Sequence, residues 1–240
     1  MSKKVLITGA TGGLGYRVCH YFHERDYTVL GTTQDKSRKK ERAESLESLG
    51  VTLFELDITD YNACEALINA LEMRFAGVDV LVNNAGITAD KTLKRMTPEQ
   101  WSRVIDTNLT GAFNLTRAAL PGMLERGYGR IVSVSSINGH KGQFGQTNYA
   151  ASKAGLYGFT KSLAQETAGK GVTVNTVSPG YLKTEMTDSM PAEVLSHIVS
   201  GIPVNRLGEP DEVARVIEFL ANEKSSFITG ADYAIDGGQH

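Results

Sequence analysis

The chain begins with a short apolar run that ends in a glycine-rich turn and gives way to a helical pattern. Residues 5–7 are apolar, residues 8–15 read TGATGGLG, and apolar side chains then recur at helical spacing as far as Phe22. Gly9, Gly13 and Gly15 permit a tight turn and a close backbone approach to a pyrophosphate, whose charge the helix N-terminus would face. The stretch therefore predicts a strand–turn–helix unit that binds a dinucleotide, with a purely structural turn as the alternative.

The same alternation continues along the chain. Amphipathic segments between short apolar strands are typical of βαβ crossovers, which build a parallel sheet with helices on both faces. We therefore predict an α/β fold: a single domain over residues 1–240 with a Rossmann-like, doubly wound parallel sheet of about seven strands. Six further strands are predicted, at residues 27–31, 51–56, 78–82, 130–134, 173–177 and 233–235. The strongest helix patterns are residues 97–109, which open with a capping box, and residues 148–171.

Composition excludes several classes of function. The 240 residues carry a net charge of −2 and a pI near 6.2, whereas nucleic-acid-binding proteins usually present a basic face. Cys19 and Cys64 lie far apart without a CxxC motif or ligand-spaced histidines, so we expect buried thiols and no metal site. The sequence shows no signal-peptide pattern and no apolar run near 18 residues, so we expect a cytosolic protein without a membrane segment.

Tyr149 and Lys153 lie four residues apart and so share one face of a predicted helix. A tyrosine in water has a pKa of about 10, and the Lys153 ammonium could lower it so that the phenol exchanges a proton near neutral pH. Upstream, the strand at residues 130–134 ends in two hydroxyls, Ser135 and Ser136. A glycine-rich loop, a strand that ends in hydroxyls and a Tyr-x3-Lys pair, in this order, predict a nucleotide-dependent enzyme.

In these motifs the chain resembles the short-chain dehydrogenase/reductase family over essentially its whole length. The motifs are the residue 8–15 loop, Asn83-Asn84-Ala85-Gly86, Asn108, Ser136, Tyr149-x3-Lys153 and Pro179-Gly180. Within the family, residues 141–149 and 178–181 are most similar to β-ketoacyl reductases of the acetoacetyl-CoA type. The resemblance implies NADPH-dependent reduction of a short 3-oxoacyl thioester.

The resemblance also implies the roles of the catalytic residues. Tyr149 would donate the proton, Ser136 would hydrogen-bond the carbonyl oxygen, and Lys153 would assist Tyr149 and hold the nicotinamide ribose. Asn108 would hold a water molecule that passes protons to Lys153. Ser135 competes with Ser136 for its role, and only the family register favours Ser136.

Cofactor contacts follow from the same resemblance. Asp57 would meet the adenine edge, Asn83, Ala85 and Gly86 would line the ribose wall, and Thr184 would meet the carboxamide. The complete predicted set adds Gly9, Thr11, Gly12, Gly13, Leu14, Gly15, Ile58, Asn84, Tyr149, Lys153, Pro179, Gly180 and Leu182.

The choice between NADP and NAD depends on the end of the second strand. A carboxylate there would bind the ribose hydroxyls of NAD, but Thr32 and Thr33 occupy this place. Arg38, Lys39 and Lys40 follow and can pair with a 2′-phosphate, which predicts NADP. The alternative is an ordinary solvated run of charges. Many NADP-dependent relatives have an arginine within the glycine loop, where this chain has Gly12.

Substrate contacts are predicted around the hydroxyl pair. Gln143, Phe144 and Gln146 lie between Ser136 and Tyr149 in sequence, and the two glutamine amides can meet a neutral thioester. Tyr181 begins a weakly patterned segment at about residues 181–206, which we interpret as a small substrate cap or, alternatively, as a plain surface excursion.

Other functions stay open at this point. A 3-oxoacyl carrier-protein reductase shares the chemistry, although Gly127 stands where such enzymes often have a basic residue, while Lys170 retains a second one. A non-catalytic dinucleotide-binding regulator or a sugar or polyol dehydrogenase is less favoured. His140 follows Ser136 by four positions, but no carboxylate partner is apparent, which disfavours a Ser/His hydrolase. Family members commonly form dimers or tetramers, so we expect a homo-oligomer.

Overall fold

A seven-stranded parallel sheet organises the computed structural model, which describes residues 2–188 and 190–240. Its strand order is β3-β2-β1-β4-β5-β6-β7, and every pairing within it is parallel. The strands are β1 (Lys4–Ile7), β2 (Thr28–Thr33), β3 (Thr52–Glu55), β4 (Val80–Asn83), β5 (Gly129–Val134), β6 (Val172–Pro179) and β7 (Asp232–Ile235). The predicted doubly wound, Rossmann-like fold is confirmed. The strand order reverses direction between β1 and β4, where such sheets bind their ligands.

Helices cover both faces of this sheet. They are α1 (Gly13–His23), α2 (Lys40–Leu49), α3 (Tyr61–Phe75), α4 (Pro98–Ile105), α5 (Gly111–Glu125), α6 (Ile137–Lys141), α7 (Thr147–Thr167), α8 (Glu185–Asp188), α9 (Ala192–Ser200) and α10 (Pro210–Ala221). One face packs on α1, α2 and α10, and the other packs on α3, α5 and α7. Successive strand residues alternate between the two layers, so that Val5 and Ile7 pack on one side and Leu6 on the other.

Local signals explain the best predicted helices. Thr97 caps α4 with its hydroxyl on the amide of Gln100, and the Gln100 side chain accepts from the amide of Thr97. The predicted helix does not stop at residue 109, because a π-helical turn (Asp106–Thr110) carries the chain directly from α4 into α5. The second predicted helix is α7, which ends at Thr167 and passes into a 3₁₀ turn (Ala168–Lys170).

The small residues of α7 have more than one environment. A Cβ added at Gly155 would lie 2.8 Å from the Leu109 side chain, so this glycine permits close packing within the chain. Gly158 is exposed and has open space at its Cα. Gly155 therefore permits packing within the chain, whereas Gly158 leaves the helix surface open.

The predicted cap segment contains α8 and α9 and is joined to the rest of the fold through its first residues. Leu182 forms a β-bridge with Gly208.

Both cysteines are buried free thiols, Cys19 on one face of the sheet and Cys64 on the other. Within residues 2–188 and 190–240, no helix is long and apolar enough to cross a membrane.

Candidate active site

The carboxyl ends of four neighbouring strands meet at one edge of the sheet. The parallel register pairs Ile7 of β1 with Val82 of β4, Asn83 of β4 with Ser133 of β5, and Val134 of β5 with Val177 of β6. The chain therefore leaves β1, β4, β5 and β6 side by side, and the loops that follow these strands line one continuous cleft.

The glycine loop is held to the end of β4 by a threonine. The Thr8 hydroxyl accepts from the amides of Asn84 and Ala85 at 2.9 and 2.8 Å, and the Asn84 side chain donates to the Thr8 carbonyl at 2.7 Å. Gly9 has φ +64°, a conformation that side chains disfavour. A Cβ at Gly15 would overlap the Gly9 carbonyl oxygen and lie 2.7 Å from Asn84 Nδ2. These glycines are therefore required by the turn itself.

The cleft has two adjoining parts. One, of about 820 Å³, is lined by the glycine loop, and we call it the cofactor part after its predicted role. The other, of about 390 Å³, is lined by Ser136, Tyr149 and Lys153, and we call it the catalytic part. The two parts share walls at Gly13, Leu14, Asn84 and Gly86. Both volumes fall in the range of small-molecule sites. The predicted residues that line the cleft are Gly9, Thr11, Gly12, Gly13, Leu14, Gly15, Arg38, Lys39, Asp57, Ile58, Asn84, Ala85, Gly86, Ser136, Gln146, Tyr149, Lys153, Pro179, Gly180, Tyr181, Leu182 and Thr184.

Ser136, Tyr149 and Lys153 come together in the catalytic part. Ser136 directly precedes α6, while Tyr149 and Lys153 share one face of α7. The Lys153 ammonium is buried, donates to the Val134 carbonyl at 2.7 Å and lies 5.6 Å from the centroid of the Tyr149 ring. A proton donor, a hydroxyl and an ammonium thus border one space.

Burial controls the acidity of the Tyr-Lys pair. It lowers the pKa of Lys153 to about 8, because the charged form loses its hydration. It also raises the pKa of Tyr149 above its ordinary value, and the neighbouring Ser136 hydroxyl opposes this rise only in part. The direction is opposite to the one predicted from the Tyr-x3-Lys spacing, since desolvation of the phenolate outweighs the hydrogen bond with Ser136.

The two competing serines have different hydrogen bonds. Ser135 is 3 % exposed, and its hydroxyl donates its proton to the Lys153 carbonyl at 2.8 Å. The Ser136 hydroxyl accepts from the amide of Asn138 at 3.2 Å, which leaves its own proton available. This difference favours Ser136 as the donor towards a bound carbonyl.

Asn108 lies in the π-helical turn and is buried beside the cleft. Its side-chain oxygen accepts from the Ile87 amide at 2.8 Å, and its nitrogen donates to the Ile87 carbonyl and to the Ser152 hydroxyl. A Cβ at Gly86 would lie 3.3 Å from Asn108 Oδ1 and 3.4 Å from Lys153 Nζ. Asn108 and the ammonium therefore approach the same side of Gly86, although a role in proton passage stays a prediction.

The basic segment differs in part from the prediction. Arg38 and Lys39 line the cofactor part, but Lys40 lies outside it, where its ammonium is 3.7 Å from Glu44. The reason is helical phase, because Lys40 is the first residue of α2 and lies on its solvent side. Arg42, which sequence reasoning missed, instead reaches the glycine loop and donates to the Thr11 carbonyl at 3.2 Å. Its spacing of three from Lys39 was the available signal.

Asn83 is a further correction. Ala85 and Gly86, predicted to line the ribose wall, do line the cleft, but the Asn83 side chain points into the core, where it donates to Thr116 and Ser133. It therefore ties β4 to α5 and β5 and does not line the cleft.

Two of the four predicted substrate residues line the catalytic part, namely Gln146 and Tyr181. Gln143 and Phe144 do not; they lie on the exposed loop after α6, and Phe144 is 87 % exposed. The Gln146 amide is also engaged on both sides. Its oxygen accepts from Asn138 at 2.9 Å and its nitrogen donates to Asp90 at 2.8 Å. Gln146 therefore has one N–H left for a ligand.

His140 does have a carboxylate partner, contrary to the sequence expectation. Its Nε2 lies 2.7 Å from Asp232 Oδ2, and its ring stacks on Tyr157 at 4.2 Å. Among the residues that the structure describes, no hydrogen bond joins His140 to the Ser136 hydroxyl, so the two do not form the serine–histidine pair of a hydrolase.

Comparison with known proteins places this cleft in a family context. A family profile described as "Enoyl-(Acyl carrier protein) reductase" matches residues 9–240. An acetoacetyl-CoA reductase of Rhizobium meliloti is 48 % identical, with 100 % of this chain and 99 % of the relative aligned. An acetoacetyl-CoA reductase of Cupriavidus necator is 46 % identical over 98 % and 96 %. A 3-oxoacyl-[acyl-carrier-protein] reductase of Vibrio cholerae is 42 % identical over 99 % and 97 %.

The glycine loop makes a direct prediction. In Gly15→Ala the added methyl must displace Gly9 or Asn84, so we expect dinucleotide affinity, measured by calorimetric titration with NADPH, to fall at least about tenfold. Gly169→Ala is the matched control, because Gly169 is exposed and open at its Cα. Unchanged affinity in Gly15→Ala would show that the loop does not contact the cofactor.

Proposed function

The chain belongs to the short-chain dehydrogenase/reductase family, and we propose that it reduces acetoacetyl-CoA to the 3-hydroxyacyl thioester with NADPH. The observation that carries the proposal is that Ser136, Tyr149 and Lys153 border one space that adjoins the glycine-loop cleft. The similarity to acetoacetyl-CoA reductases supports the substrate.

The residues of the cofactor part fit a dinucleotide. The N-terminus of α1 follows directly on the glycine loop and can face a pyrophosphate, and the missing side chain at Gly13 leaves space beside Thr184. When bound, the nicotinamide supplies a hydride to the ketone carbon. The Lys153 ammonium would donate to the hydroxyls of the adjoining ribose.

The proton and the charge of the reaction are handled by side chains of α7 and of the loop after β5. The carbonyl oxygen would gain negative charge during the reduction, and hydrogen bonds from Ser136 and Tyr149 would stabilise this charge. Tyr149 then gives its proton to this oxygen, and the Lys153 ammonium stabilises the phenolate that remains. The raised pKa of Tyr149 keeps the phenol protonated at neutral pH until the oxyanion develops.

Charge at the end of β2 supports NADPH over NADH. This position is occupied by Thr33 and not by a carboxylate, and the Thr33 hydroxyl lies 2.9 Å from the Thr11 hydroxyl. Asp35 also lines the cleft, but its carboxylate accepts from the amide and hydroxyl of Ser37. Lys39 and Arg42 both pair with Glu185 of the cap, at 3.1 and 2.6 Å. A 2′-phosphate would carry more negative charge than this exposed carboxylate and would compete with it for the two cations.

These contacts predict which basic residues select the cofactor. Replacing Lys39 and Arg42 together with alanine should raise the KM for NADPH about tenfold or more and leave the KM for NADH nearly unchanged, because only NADPH carries the additional phosphate. Lys40→Ala is the matched control, since Lys40 lies on the outer side of α2. An equal loss with both cofactors would mean that the pair acts on the fold of the loop.

The acidity of Lys153 predicts the pH dependence of reduction. Lys153 is charged below pH 8 and neutral above it, so kcat/KM should fall as the pH rises through about 8. Tyr149 does not produce this limb, because its pKa is raised. Initial rates at subsaturating substrate from pH 6 to 10 measure it. The residual rate of Lys153→Met should be flat over the same range, and a flat profile in the wild-type protein would contradict the assignment.

The substrate and the proton donor are tested together. Initial rates with NADPH should be higher for acetoacetyl-CoA than for the same acyl group on a carrier protein. Tyr149→Phe should bind NADPH normally and lose at least about three orders of magnitude in rate. Faster reduction of the carrier-protein thioester would favour the alternative, a 3-oxoacyl carrier-protein reductase. Gly127 offers no basic side chain to such a partner, and its φ of +63° favours glycine.

The proposal extends to the domain organisation, the cellular location and the oligomeric state of the protein. We propose that residues 1–240 act as one NADP-binding reductase domain with its cap at about residues 181–206, within a cytoplasmic homo-oligomer. Phe113 on α5 is 46 % exposed and Gly158 on α7 is open, which is compatible with helix packing between copies.

A further inference from the structure

A network of polar side chains lies behind Ser136, on the side away from the cleft. It joins four elements of the fold: Tyr157 on α7, His140 on α6, Thr176 and Ser178 on β6, and Asp232 on β7. Thr176 and Ser178 are fully buried. The reaction described above uses none of these five residues.

Asp232 is the common acceptor of this network. Its Oδ1 accepts from the hydroxyls of Thr176 and Ser178 at 2.6 and 2.7 Å, and its Oδ2 lies 2.7 Å from Nε2 of His140. An ionised carboxylate can only accept hydrogen bonds, so each of these neighbours must direct its proton towards Asp232. The Ser178 hydroxyl therefore donates its single proton to Asp232.

The direction of the Ser178 proton determines the direction of the Tyr157 hydroxyl. Tyr157 Oη lies 3.1 Å from the Ser178 hydroxyl and 2.7 Å from the Ser136 carbonyl oxygen, and both of these oxygens can now only accept. Tyr157 therefore donates its proton, with the Ser136 carbonyl as the nearer acceptor. The ring of His140 stacks on the Tyr157 ring with an interplanar angle of 16° and holds the phenol in place.

The hydrogen bond from Tyr157 holds the Ser136 backbone on the side away from the cleft. The Ser136 carbonyl accepts both from Tyr157 and from the amide of Gly139 at 2.9 Å, while its hydroxyl accepts from the amide of Asn138. A Cβ at Gly139 would lie 2.8 Å from Tyr157 Oη, so the glycine permits the approach of the phenol. Tyr157 itself is not among the described residues that line the cleft.

We propose that Tyr157 is a positioning residue for the reduction, and that it acts through Ser136 by fixing the backbone that carries the reactive hydroxyl. The inference rests on the proposed function, because it assigns Ser136 a donor role towards the substrate. Asp232 orients Tyr157 through Ser178, and His140 holds the ring.

The test is a double-mutant cycle between Tyr157→Phe and Ser136→Ala. Tyr157→Phe removes one hydroxyl and keeps the ring, so the kcat for acetoacetyl-CoA should fall about tenfold while the KM for NADPH stays unchanged. In the Ser136→Ala background, Tyr157→Phe should cause no further loss in the residual rate, because the hydroxyl that it positions is gone. Tyr128→Phe is the matched control: its half-buried phenol also donates to a carbonyl, that of Ala221 at 3.4 Å, far from the cleft.

Two outcomes would overturn the inference. One is an unchanged kcat in Tyr157→Phe, and the other is the same fractional loss in both backgrounds, which would mean that Tyr157 acts on the fold and not through Ser136. If Tyr157→Phe does not fold, Asp232→Asn enters the same cycle and should give a smaller loss that also disappears with Ser136→Ala. A wild-type chain that does not reduce acetoacetyl-CoA would overturn the proposed function instead, and the cycle would then be run on whichever ketone it does reduce.

Discussion

The parallel register of β1, β4, β5 and β6 is the constraint on which the site depends. Because these strands run in the same direction and in step, the chain must leave each of them at one edge, and the residues that follow are brought together without contact along the sequence. Thr8 then fixes the spacing between the first two loops, since its hydroxyl accepts two amides from the end of β4. A shift of one residue in the β1–β4 pairing would remove both bonds and exchange the faces of β1.

Within this frame, the protein holds a lysine where its charge is costly. Lys153 is buried, and the carbonyl of Val134 is its hydrogen-bond acceptor in the described part of the chain. Loss of hydration lowers its pKa to about 8, yet at neutral pH the ammonium is still mostly charged. A cation with few protein acceptors can make its remaining hydrogen bonds to a bound ligand, and little water must be displaced when it does so. Burial thus lowers the stability of the charged form of Lys153 and leaves its ammonium oriented towards a ligand.

The sequence predicted the fold well because its signals are local. Each apolar run became a strand, and the Thr97 capping box marks the start of α4. Where the prediction was wrong, the cause was geometry that no local pattern contains. The prediction included Lys40 and missed Arg42, because the 3₁₀ turn before α2 sets a helical phase that leaves Lys40 beside Glu44 and brings Arg42 to the Thr11 carbonyl. Phe144 was predicted to contact the substrate because it lies between Ser136 and Tyr149 in sequence, but its side chain is exposed to solvent.

Long-range contacts were the other source of error. The carboxylate partner of His140 is Asp232, 92 residues away, and it is brought there by the pairing of β6 with β7. The sign of the Tyr149 pKa shift also could not be found from spacing, because it depends on how far the folded chain removes water from the phenol. Motif order identified most of the cleft-lining residues, whereas the hydrogen-bond partners that distinguish Ser135 from Ser136 depend on how the chain folds around the end of β5.

The charges that line the catalytic part of the cleft limit what can react there. In the described part of the chain they are Lys39, Lys153 and Glu185, and Lys39 is paired with Glu185. Among the described residues that line this part, Lys153 is thus the one cation without a carboxylate beside it, and it lies next to Gly86, on the side of the cofactor part. A substrate whose reacting end carried a carboxylate would lose hydration without gaining an arginine partner. The end of a 3-oxoacyl thioester is neutral, and its charged carrier lies far from the ketone. The walls offered by Ile137, Leu182 and Met190 suit a short acyl group, which is why the site favours such a thioester over an oxo acid.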